Sequence, residues 1–482
     1  MNIQQEATYK TGIYHSRRYF LNQCIGGLGA MALGSLMGFK ASGKEASLSG
    51  LSPHFPPTAR RIIFLHMAGA PSQLELFDYK PVLAKYDGKA CPESLLAGKR
   101  FAFLKGTPNM MGPQASFQRY GQSGAWVSEH FPHFSKWVDE VCFLKAMYTD
   151  EFNHAPAQLF MHTGSPRLGR PSMGSWMIYG LGSENENLPG FVVLTSASDP
   201  SAGKSVWGSG FLPSLHQGVQ CRSQGDPVLY LNNPGGIDQH IRRRSIDIIN
   251  EINRKEHEDL GDPEILSRIS QYELAFRMQA EVPEVMDIST EPEYIHEMYE
   301  TKPGRISFAN NCLLARRLAE RGVRFIQLYD DAWDHHGASK GSGVVAGLGR
   351  ACKKVDRPIA ALLNDLKMRG LWEDTLVVWG GEFGRTPMKE TRASGADFRG
   401  RDHHSEAFTI WLAGGGIKGG ISHGETDELG YYGVENRTHI HDLQATILHC
   451  MGMDHERLTY HFQGRDYRLT DVHGKVVKEV LE

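Results

Sequence analysis

The sequence predicts an α/β protein whose central sheet is mostly parallel and carries helices on both faces. Three observations predict this class. Short β-branched apolar runs end at glycine or at charged residues, amphipathic segments separate these runs, and the two kinds of segment alternate regularly in the C-terminal half. The chain has 482 residues, of which 40% are hydrophobic and 22% are charged, so one large domain with an insertion can account for its length.

The first 45 residues predict a twin-arginine-type signal peptide and linker. Arg17 and Arg18 precede a weakly apolar, glycine- and alanine-rich stretch at 24–39, and a charged segment followed by a short apolar one is typical of signal peptides. The arginine pair resembles the twin-arginine export signal. The 16 residues of the apolar stretch are too few to predict a stable transmembrane anchor. We therefore expect residues 46–482 to form the mature domain, in the periplasm or outside the cell.

Elements of both kinds are expected in the N-terminal part of this domain. Short apolar, β-branched runs predict four strands, at 59–69, 141–148, 190–196 and 227–231. At about 237–285 the composition changes, because apolar residues recur at helical spacing and the opposite face is heavily charged. This region predicts a helical insertion.

The C-terminal half predicts the clearest alternation of helices and strands. Helices are expected at 310–322, 352–370 and 441–452, each ending at a glycine, and strands are expected at 323–329, 375–381 and 407–416. In a mostly parallel sheet, ligands bind beyond the carboxyl ends of the strands. The residues that directly follow these strands are therefore the ones most relevant to function.

The overall charge excludes one class of partner and the histidine content indicates another. The formal net charge is −3, from 52 basic and 55 acidic residues, so the chain lacks the basic excess of a nucleic-acid-binding protein. None of the seven cysteines forms a CxxC pair, which argues against a zinc ribbon. Many of the 22 histidines lie downstream of Tyr329, and histidine is the commonest metal ligand in proteins.

Carboxylates and imidazoles collect at the ends of four predicted strands. They follow the strands at 141–148, 323–329 and 375–381, and they precede the strand at 407–416. Because a parallel sheet brings such loops together, we expect these side chains to share one pocket. Carboxylates with imidazoles, and without a thiolate, are suited to zinc, manganese or calcium. The sequence thus predicts a site for a divalent metal ion whose identity it does not specify.

Several motifs resemble a known family. They are HMAGAPSQLELFDYKP, NHAPAQLFMHTG, WDHH, GGEFGRTP, GRDHHSEAFTIWLAGGGIKGG and FQGRDYRLTDVHG. They resemble the exported bacterial family known as domain of unknown function 1501, which is regarded as sulfatase-like and as part of the alkaline phosphatase superfamily. The resemblance covers nearly all of the mature chain and implies an alkaline phosphatase-like fold.

The resemblance also implies roles for particular residues. The implied metal ligands are Asp334, His336, Glu382, Asp402 and His403. Asp331 and His335 offer an alternative to the pair Asp334 and His336, and the spacing does not decide between the two pairs. His154 or Asn153 occupies the place of the superfamily's nucleophile, and Arg385 lies where it can bind a sulfate or phosphate group.

The chain departs from the superfamily pattern at the nucleophile. No Ser, Thr or Cys opens the helix after the strand at 141–148, the sulfatase motif is absent, and the residue after Glu382 is Phe383. A covalent enzyme intermediate is therefore not expected. The remaining hypothesis is hydrolysis of a sulfate or phosphate ester, of a small molecule or a carbohydrate, by metal-activated water with His154 as general acid or base. The alternatives are an inactive sulfatase-like binding protein and an accessory protein of the cell surface.

Overall fold

The computed structural model describes residues 50–229, 231–339, 341–390 and 398–482. The predicted signal peptide at residues 1–45 lies outside this range, so twin-arginine export stays a prediction. Among the described residues no helix combines the length and the apolar character that crossing a membrane requires.

A nine-stranded sheet lies at the centre of the described structure. In chain order its strands are β1 (Arg61–Met67), β2 (Val141–Tyr148), β3 (Phe191–Thr195), β4 (Val219–Cys221), β5 (Phe325–Asp330), β6 (Thr375–Gly380), β7 (Phe408–Ala413), β8 (Ile421–His423) and β9 (Thr438–His439). Across the sheet the order is β8-β2-β7-β6-β1-β5-β3-β4, and β9 also pairs with β2. Only β7 runs antiparallel to its neighbours, which are β2 and β6. The predicted mostly parallel sheet is confirmed.

Helices cover both faces of this sheet. They are α1 (Gln73–Leu76), α2 (Pro81–Lys85), α3 (His154–Thr163), α4 (Met173–Leu181), α5 (Gln239–Leu260), α6 (Pro263–Met286), α7 (Glu293–Tyr299), α8 (Phe308–Glu320), α9 (Gly347–Met368) and α10 (Ile440–Cys450). Successive residues of a strand point to opposite faces. In β1, Ile63 and Leu65 join the core formed with α8 and α9, whereas Ile62 and Phe64 join the core formed with α3, α4 and α10.

Short elements complete the domain. Four two-stranded sheets pair Phe117–Tyr120 with Ala125–Ser128, Gly384–Arg385 with His403–His404, Glu425–Thr426 with Gly433–Glu435, and Tyr460–Phe462 with Arg465–Tyr467. Short segments of 3-10 helix lie at Glu93–Leu95, Phe134–Glu140, Gly203–Trp207, Ser214–His216, Ile288–Thr290 and Lys478–Val480.

The predicted helical insertion consists of α5 and α6, which pack against each other. The side chain of Asp238 accepts a hydrogen bond from the amide of Ile241 at the start of α5, and Asp262 does the same for Glu264 at the start of α6. Gly261 ends α5 in the left-handed conformation, with φ of 65°, which glycine adopts without steric cost. The two helices therefore have clear local start and stop signals.

One predicted strand is wrong. The segment at 227–231 forms bends and a turn over its described residues, and Val219–Cys221 takes the edge position beside β3 instead. Pro227 removes one backbone donor, and the carbonyl of Pro227 accepts a hydrogen bond from Arg222, which closes a tight loop after β4.

Candidate metal centre

The predicted polar residues gather at the carboxyl edge of the central sheet. Those that lie there are His154, Asp334, His336, Glu382, Arg385, Asp402 and His403. His154 opens α3 shortly after β2, and the loops after β5 and β6 supply the next four. β7 is antiparallel to the other strands, so the segment that leads into β7 lies at the edge of the sheet where the other strands end. This reversal brings His403 to the site.

Asp334 lies at the centre of the cluster. Arg385 donates from Nη2 to Asp334 Oδ1 at 2.6 Å, and His336 Nε2 lies 2.6 Å from the same oxygen. Oδ1 also has His154 Nε2 at 3.3 Å and His403 Nε2 at 3.4 Å. The Asp334 side chain is 42% exposed, whereas the three histidines are largely buried, so the cluster opens to solvent on the Asp334 side.

Each of the three histidines is held at its far ring nitrogen by an acceptor. Nδ1 of His403 lies 2.7 Å from the carbonyl oxygen of Phe152, and Nδ1 of His336 bonds the carboxylate of Glu390. Nδ1 of His154 lies 2.7 Å from Glu382 Oε1. An Nδ1–H that donates to a carbonyl or carboxylate leaves Nε2 as the nitrogen that faces the site. This is the orientation that metal-binding histidines adopt in proteins.

The distances between these atoms fit one ion. The facing nitrogens of His154, His336 and His403 and an oxygen of Asp334 all lie within 4.8 Å of one another. The Nε2 atoms of His336 and His403 are 3.0 Å apart. A tetrahedral zinc ion with bonds of about 2.0–2.1 Å places its ligand atoms about 3.3 Å apart. The buried His154 Nε2 has no well-directed hydrogen bond within the described structure, so this set of donors is compatible with a divalent ion.

Glu382 lies behind His154 rather than among these four residues. Its carboxylate is fully buried and accepts hydrogen bonds from the Gly69 amide at 3.1 Å and from Gln158 Nε2 at 2.9 Å, besides its contact with His154. His66 Nε2 lies 3.3 Å from its second oxygen. Glu382 therefore orients His154 and ties the loop after β1 to α3.

Asp402 also lies beside the four residues. One of its oxygens accepts hydrogen bonds from the amides of Phe103 and Leu104, and the other accepts from the amide of His403. Asp402 comes near His336 and Glu390 in a second group of three potential ligands. The neighbouring His404 points elsewhere, and its Nε2 lies 2.6 Å from the carbonyl oxygen of Tyr431.

The alternative pair predicted from the same motif is separated in the structure. Asp331 accepts a hydrogen bond from the Ser198 hydroxyl at 2.6 Å and takes no part in the cluster. His335 is buried and lines a neighbouring cavity. Burial, together with the charge of Arg385, lowers the pKa of His335 to about 4. The structure thus brings Asp334 and His336 together, and not Asp331 and His335.

The electrostatics of the cluster favour a charged carboxylate beside neutral or positive imidazoles. Burial alone would raise the pKa of Asp334, but its contacts with His154, His336 and His403 outweigh burial and hold that pKa well below its usual range. Burial lowers the pKa of His403 to about 4. Burial also lowers the pKa of His154, but the carboxylates of Asp334 and Glu382 outweigh burial and raise this pKa to about 9.

The sequence comparison decides the family. The model of the family described as "Protein of unknown function (DUF1501)" matches residues 59–481. The chain belongs to this family. None of the curated proteins matches it in sequence.

Solved structures similar to this DUF1501 chain are distant from it. One is the lipoteichoic acid synthase LtaP from Listeria monocytogenes, with 10% identity, a TM-score of 0.33 and coverage of 88% of this chain and 78% of that one. The alkaline phosphatase from the Antarctic bacterium TAB5 has 12% identity, a TM-score of 0.32 and coverage of 82% and 98%. The PsFucS1 sulfatase from Pseudoalteromonas sp. has 12% identity, a TM-score of 0.35 and coverage of 83% and 68%. Likeness at this distance assigns no activity to the DUF1501 chain.

The DUF1501 chain has a cavity directly beside Asp334. It measures about 750 Å³ and is lined by Asp334, His335 and the first turns of α9, including Arg350 and Lys353. A cavity of this volume accommodates a small organic molecule. Its basic side chains, from Arg350, Lys353 and Lys354, belong to one helix and would attract an anionic group.

Sequence reasoning missed one residue that contacts the cluster. Glu390 is buried and bonds His336, yet it lies in a loop with no recognisable motif. The only signal for it was its place in the same segment as Glu382 and Arg385, eight residues after Glu382.

Proposed function

We propose that this DUF1501 protein is an exported, metal-dependent hydrolase of sulfate or phosphate esters. One observation supports the proposal above all others. Three imidazole Nε2 atoms, each oriented by an acceptor at Nδ1, converge with the Asp334 carboxylate on one point at the mouth of a cavity. Donors of this kind bind a divalent cation, with one imidazole left to transfer protons, and the basic residues near the cavity suit an anionic ester.

In this proposal Asp334, His336 and His403 hold the ion. Three protein ligands leave a ligand position open, as in catalytic zinc sites. Imidazole nitrogens favour zinc over calcium, which prefers six to eight oxygen ligands. When bound, the ion would supply an activated water and stabilise negative charge that develops on the ester.

The other residues of the cluster would bind the ester and transfer protons. Arg385 is almost fully buried, and the carbonyl oxygens of Gly69, Ala70 and Arg401 fix its guanidinium group beside Asp334, so little side-chain entropy remains to be lost on binding. It would bind the sulfate or phosphate group. His154, whose Nε2 faces the same point, would donate a proton to the leaving oxygen. Glu382 and Asp402 would position His154 and His403 rather than contact the ion.

A second candidate function is ligand binding without turnover. Two observations favour it. His154 stands where a nucleophile would open α3, and Arg385 already neutralises Asp334 at 2.6 Å. A protein that kept the pocket but lost the chemistry would bind an anionic ester and release it unchanged.

Metal analysis followed by a substrate panel separates these functions. Purified protein should contain close to one zinc or manganese per chain, and it should hydrolyse an aryl sulfate, an aryl phosphate or a phosphodiester. Asp334→Asn should lose the metal and at least about a thousandfold in rate, because one ligand and the central charge disappear. Asp331→Asn, three residues away and outside the cluster, is the matched control and should retain both.

The possible outcomes discriminate clearly. Metal-bound protein that binds sulfate or phosphate esters but turns over none of them would establish the binding function. Protein that takes up no divalent ion from a zinc, manganese or calcium solution would refute the metal site and with it the hydrolase.

Export is the part of the proposal that depends on the sequence alone. If the pair Arg17 and Arg18 directs twin-arginine export, Lys at both positions should retain the protein in the cytoplasm. Cell fractionation measures this directly, and unchanged export of the double variant would contradict the route.

A further inference from the structure

The outer face of α5 exposes an apolar stripe. Ile241, Ile248 and Ile252 are 47%, 58% and 60% exposed, although isoleucine is among the residues most often buried. On the opposite side of the helix Ile246 and Asn250 are buried against the rest of the insertion. The stripe therefore does not belong to the hydrophobic core of this chain.

The spacing along the stripe follows a heptad seam. Positions 241, 245, 248, 252, 255 and 259 alternate steps of four and three residues, and such steps keep side chains on one line facing a partner helix. Isoleucine occupies three of these positions. The others are polar: Ser245 lies between Ile241 and Ile248, and Lys255 and Asp259 lie at the C-terminal end.

The same positions are symmetric about residue 250. Position 248 lies two residues before it and 252 two residues after it, and the pairs 245 with 255 and 241 with 259 are likewise equidistant. In a two-fold contact, residue i of one copy meets residue j of the other while j meets i. An antiparallel copy of α5 would therefore place Ile248 against Ile252 twice at the centre of the contact.

The charges of α5 are complementary to those of an antiparallel second copy of the helix. Its first half, 239–249, contains three arginines and one aspartate, a net charge of +2. Its second half, 250–260, contains four acidic residues against Arg254 and Lys255, a net charge of −2. Antiparallel pairing sets each half against the opposite charge of the other copy, whereas parallel pairing sets like charges together.

We propose that α5 is the contact surface of a symmetric dimer of this chain, in which two copies of the helix pair antiparallel about an axis near Asn250. Ile248 and Ile252 of both copies form its apolar centre. Arg244 and Glu258 lie on one flank of the seam, each one residue before a seam position, so Arg244 of one copy lies beside Glu258 of the second copy. Within the described residues neither side chain forms an ion pair with its own chain. A membrane surface or an unrelated apolar partner would not require this symmetry.

The mass of the protein in solution tests the dimer. Sedimentation velocity on the full chain should give twice the mass of one 53.8 kDa chain. The double variant Ile248→Glu with Ile252→Glu should raise the dimer dissociation constant at least about a hundredfold, because it places four carboxylates in one buried patch. The matched control, Leu168→Glu with Val472→Glu, changes two other exposed apolar residues and should leave the dimer intact.

Charge reversal identifies the antiparallel arrangement. Arg244→Glu and Glu258→Arg should each weaken the dimer, and the two together should restore it. Within one chain these positions are about 21 Å apart along the helix, too far to pair with each other, so the restoration can come only from a second copy.

Three outcomes would overturn the proposal. The first is a wild-type protein that stays monomeric at all concentrations, whether or not it binds lipid vesicles. The second is a dimer that survives the Ile248/Ile252 double variant. The third is a pair of charge reversals whose effects on the dimer dissociation constant are additive. Circular dichroism of each variant shows that a loss of dimer is not a loss of folding. The dimer and the metal site are measured separately, so failure of one leaves the other unaffected.

Discussion

At the scale of single residues, the candidate site depends on what each histidine contacts away from the cluster. The acceptors at Nδ1 are a carbonyl for His403 and carboxylates for His154 and His336. A carboxylate at this position also makes the imidazole more basic and therefore a stronger ligand. The three histidines are thus not equivalent, although all of them face Asp334.

The role of Glu390 gives a prediction at this scale. In Glu390→Gln the amide oxygen can still accept from Nδ1 of His336, so the ring keeps its orientation and loses only the negative charge behind it. We expect the dissociation constant for zinc to rise about 10- to 100-fold. Isothermal titration calorimetry measures the change, and Glu435→Gln, which removes a charge at an exposed position, is the control. Unchanged zinc affinity would show that Glu390 does not act on His336.

A histidine far from the site gives a prediction about pH. Burial lowers the pKa of His216 to about 4, and its Nδ1 lacks a hydrogen-bond partner within the described structure. Because the unfolded pKa is about 6.5, His216 contributes stability that is present above that pH and lost as the pH falls toward 4. Between pH 7.5 and pH 5 its share of the loss in free energy of unfolding should be about 2 kcal/mol.

Urea unfolding at the two pH values measures this loss. The comparison uses the difference between pH 7.5 and pH 5 in the wild type and in His216→Gln, so that any constant effect of the substitution cancels. The difference should be smaller in the variant. An equal difference in both proteins would mean that His216 is accessible to protons in the folded state.

Five residues of the candidate site could be predicted from the sequence alone. His154, Asp334, His336, Arg385 and His403 could be predicted because each lies next to an apolar run whose end marks the edge of the sheet. The choice of Asp334 over Asp331 could not, because both lie within four residues of β5 and only the path of the loop separates them. The contacts of Glu382 depend on where α3 lies, which no local pattern specifies.

At the scale of elements, two loops determine the position of Asp334. The loop after β1 passes so close to the loop after β5 that a Cβ on Gly69 would lie 2.6 Å from the amide nitrogen of Asp334 and 2.9 Å from the carbonyl carbon of Trp333. Gly69 also has φ of 112°, which a residue with a side chain rarely adopts. The glycine is required both by its conformation and by the neighbouring backbone.

Gly69→Ala should therefore displace the loop that carries Asp334. We expect at least about a tenfold loss of zinc affinity, because the ligand atom moves by a fraction of an ångström or more. Gly88→Ala separates this effect from backbone strain, since Gly88 also has a positive φ, of 77°, but has open space around its Cβ position. The control should lose about 1 kcal/mol of stability and no affinity. Equal zinc affinity in Gly69→Ala and the wild type would contradict the argument.

The strands that the sequence predicts correctly are those with a strong local signal. β1, β2, β3, β5, β6 and β7 have five to eight residues and are rich in β-branched or aromatic side chains. β4, β8 and β9 have two or three residues each, and their strand conformation depends on pairing with β3 and β2. Segments this short carry no period, so they become visible only in the folded sheet.

At the scale of the whole molecule, the site exists only in the folded chain. His154 and Asp334 are 180 residues apart in sequence, and His403 is 69 residues beyond Asp334. Two hydrophobic cores, one on each face of the sheet, hold the strands whose ends carry these residues. An unfolded chain cannot collect the ligands at one point, so the ion should bind the folded state much more tightly than the unfolded one.

Because the ion binds the folded state more tightly, the free energy of unfolding reports whether the site binds zinc. At a free zinc concentration of about a hundred times the dissociation constant, binding should add about 2.7 kcal/mol to the free energy of unfolding. Thermal unfolding should show a higher Tm with zinc than with a chelator, and the increase should disappear in Asp334→Asn and persist in Asp331→Asn. The readout needs no substrate, so it tests the metal site whether the protein is a hydrolase or a binding protein. An equal increase in Asp334→Asn would place zinc elsewhere on the chain, and no increase in the wild type would mean that the four converging side chains form an ion-pair network without a metal.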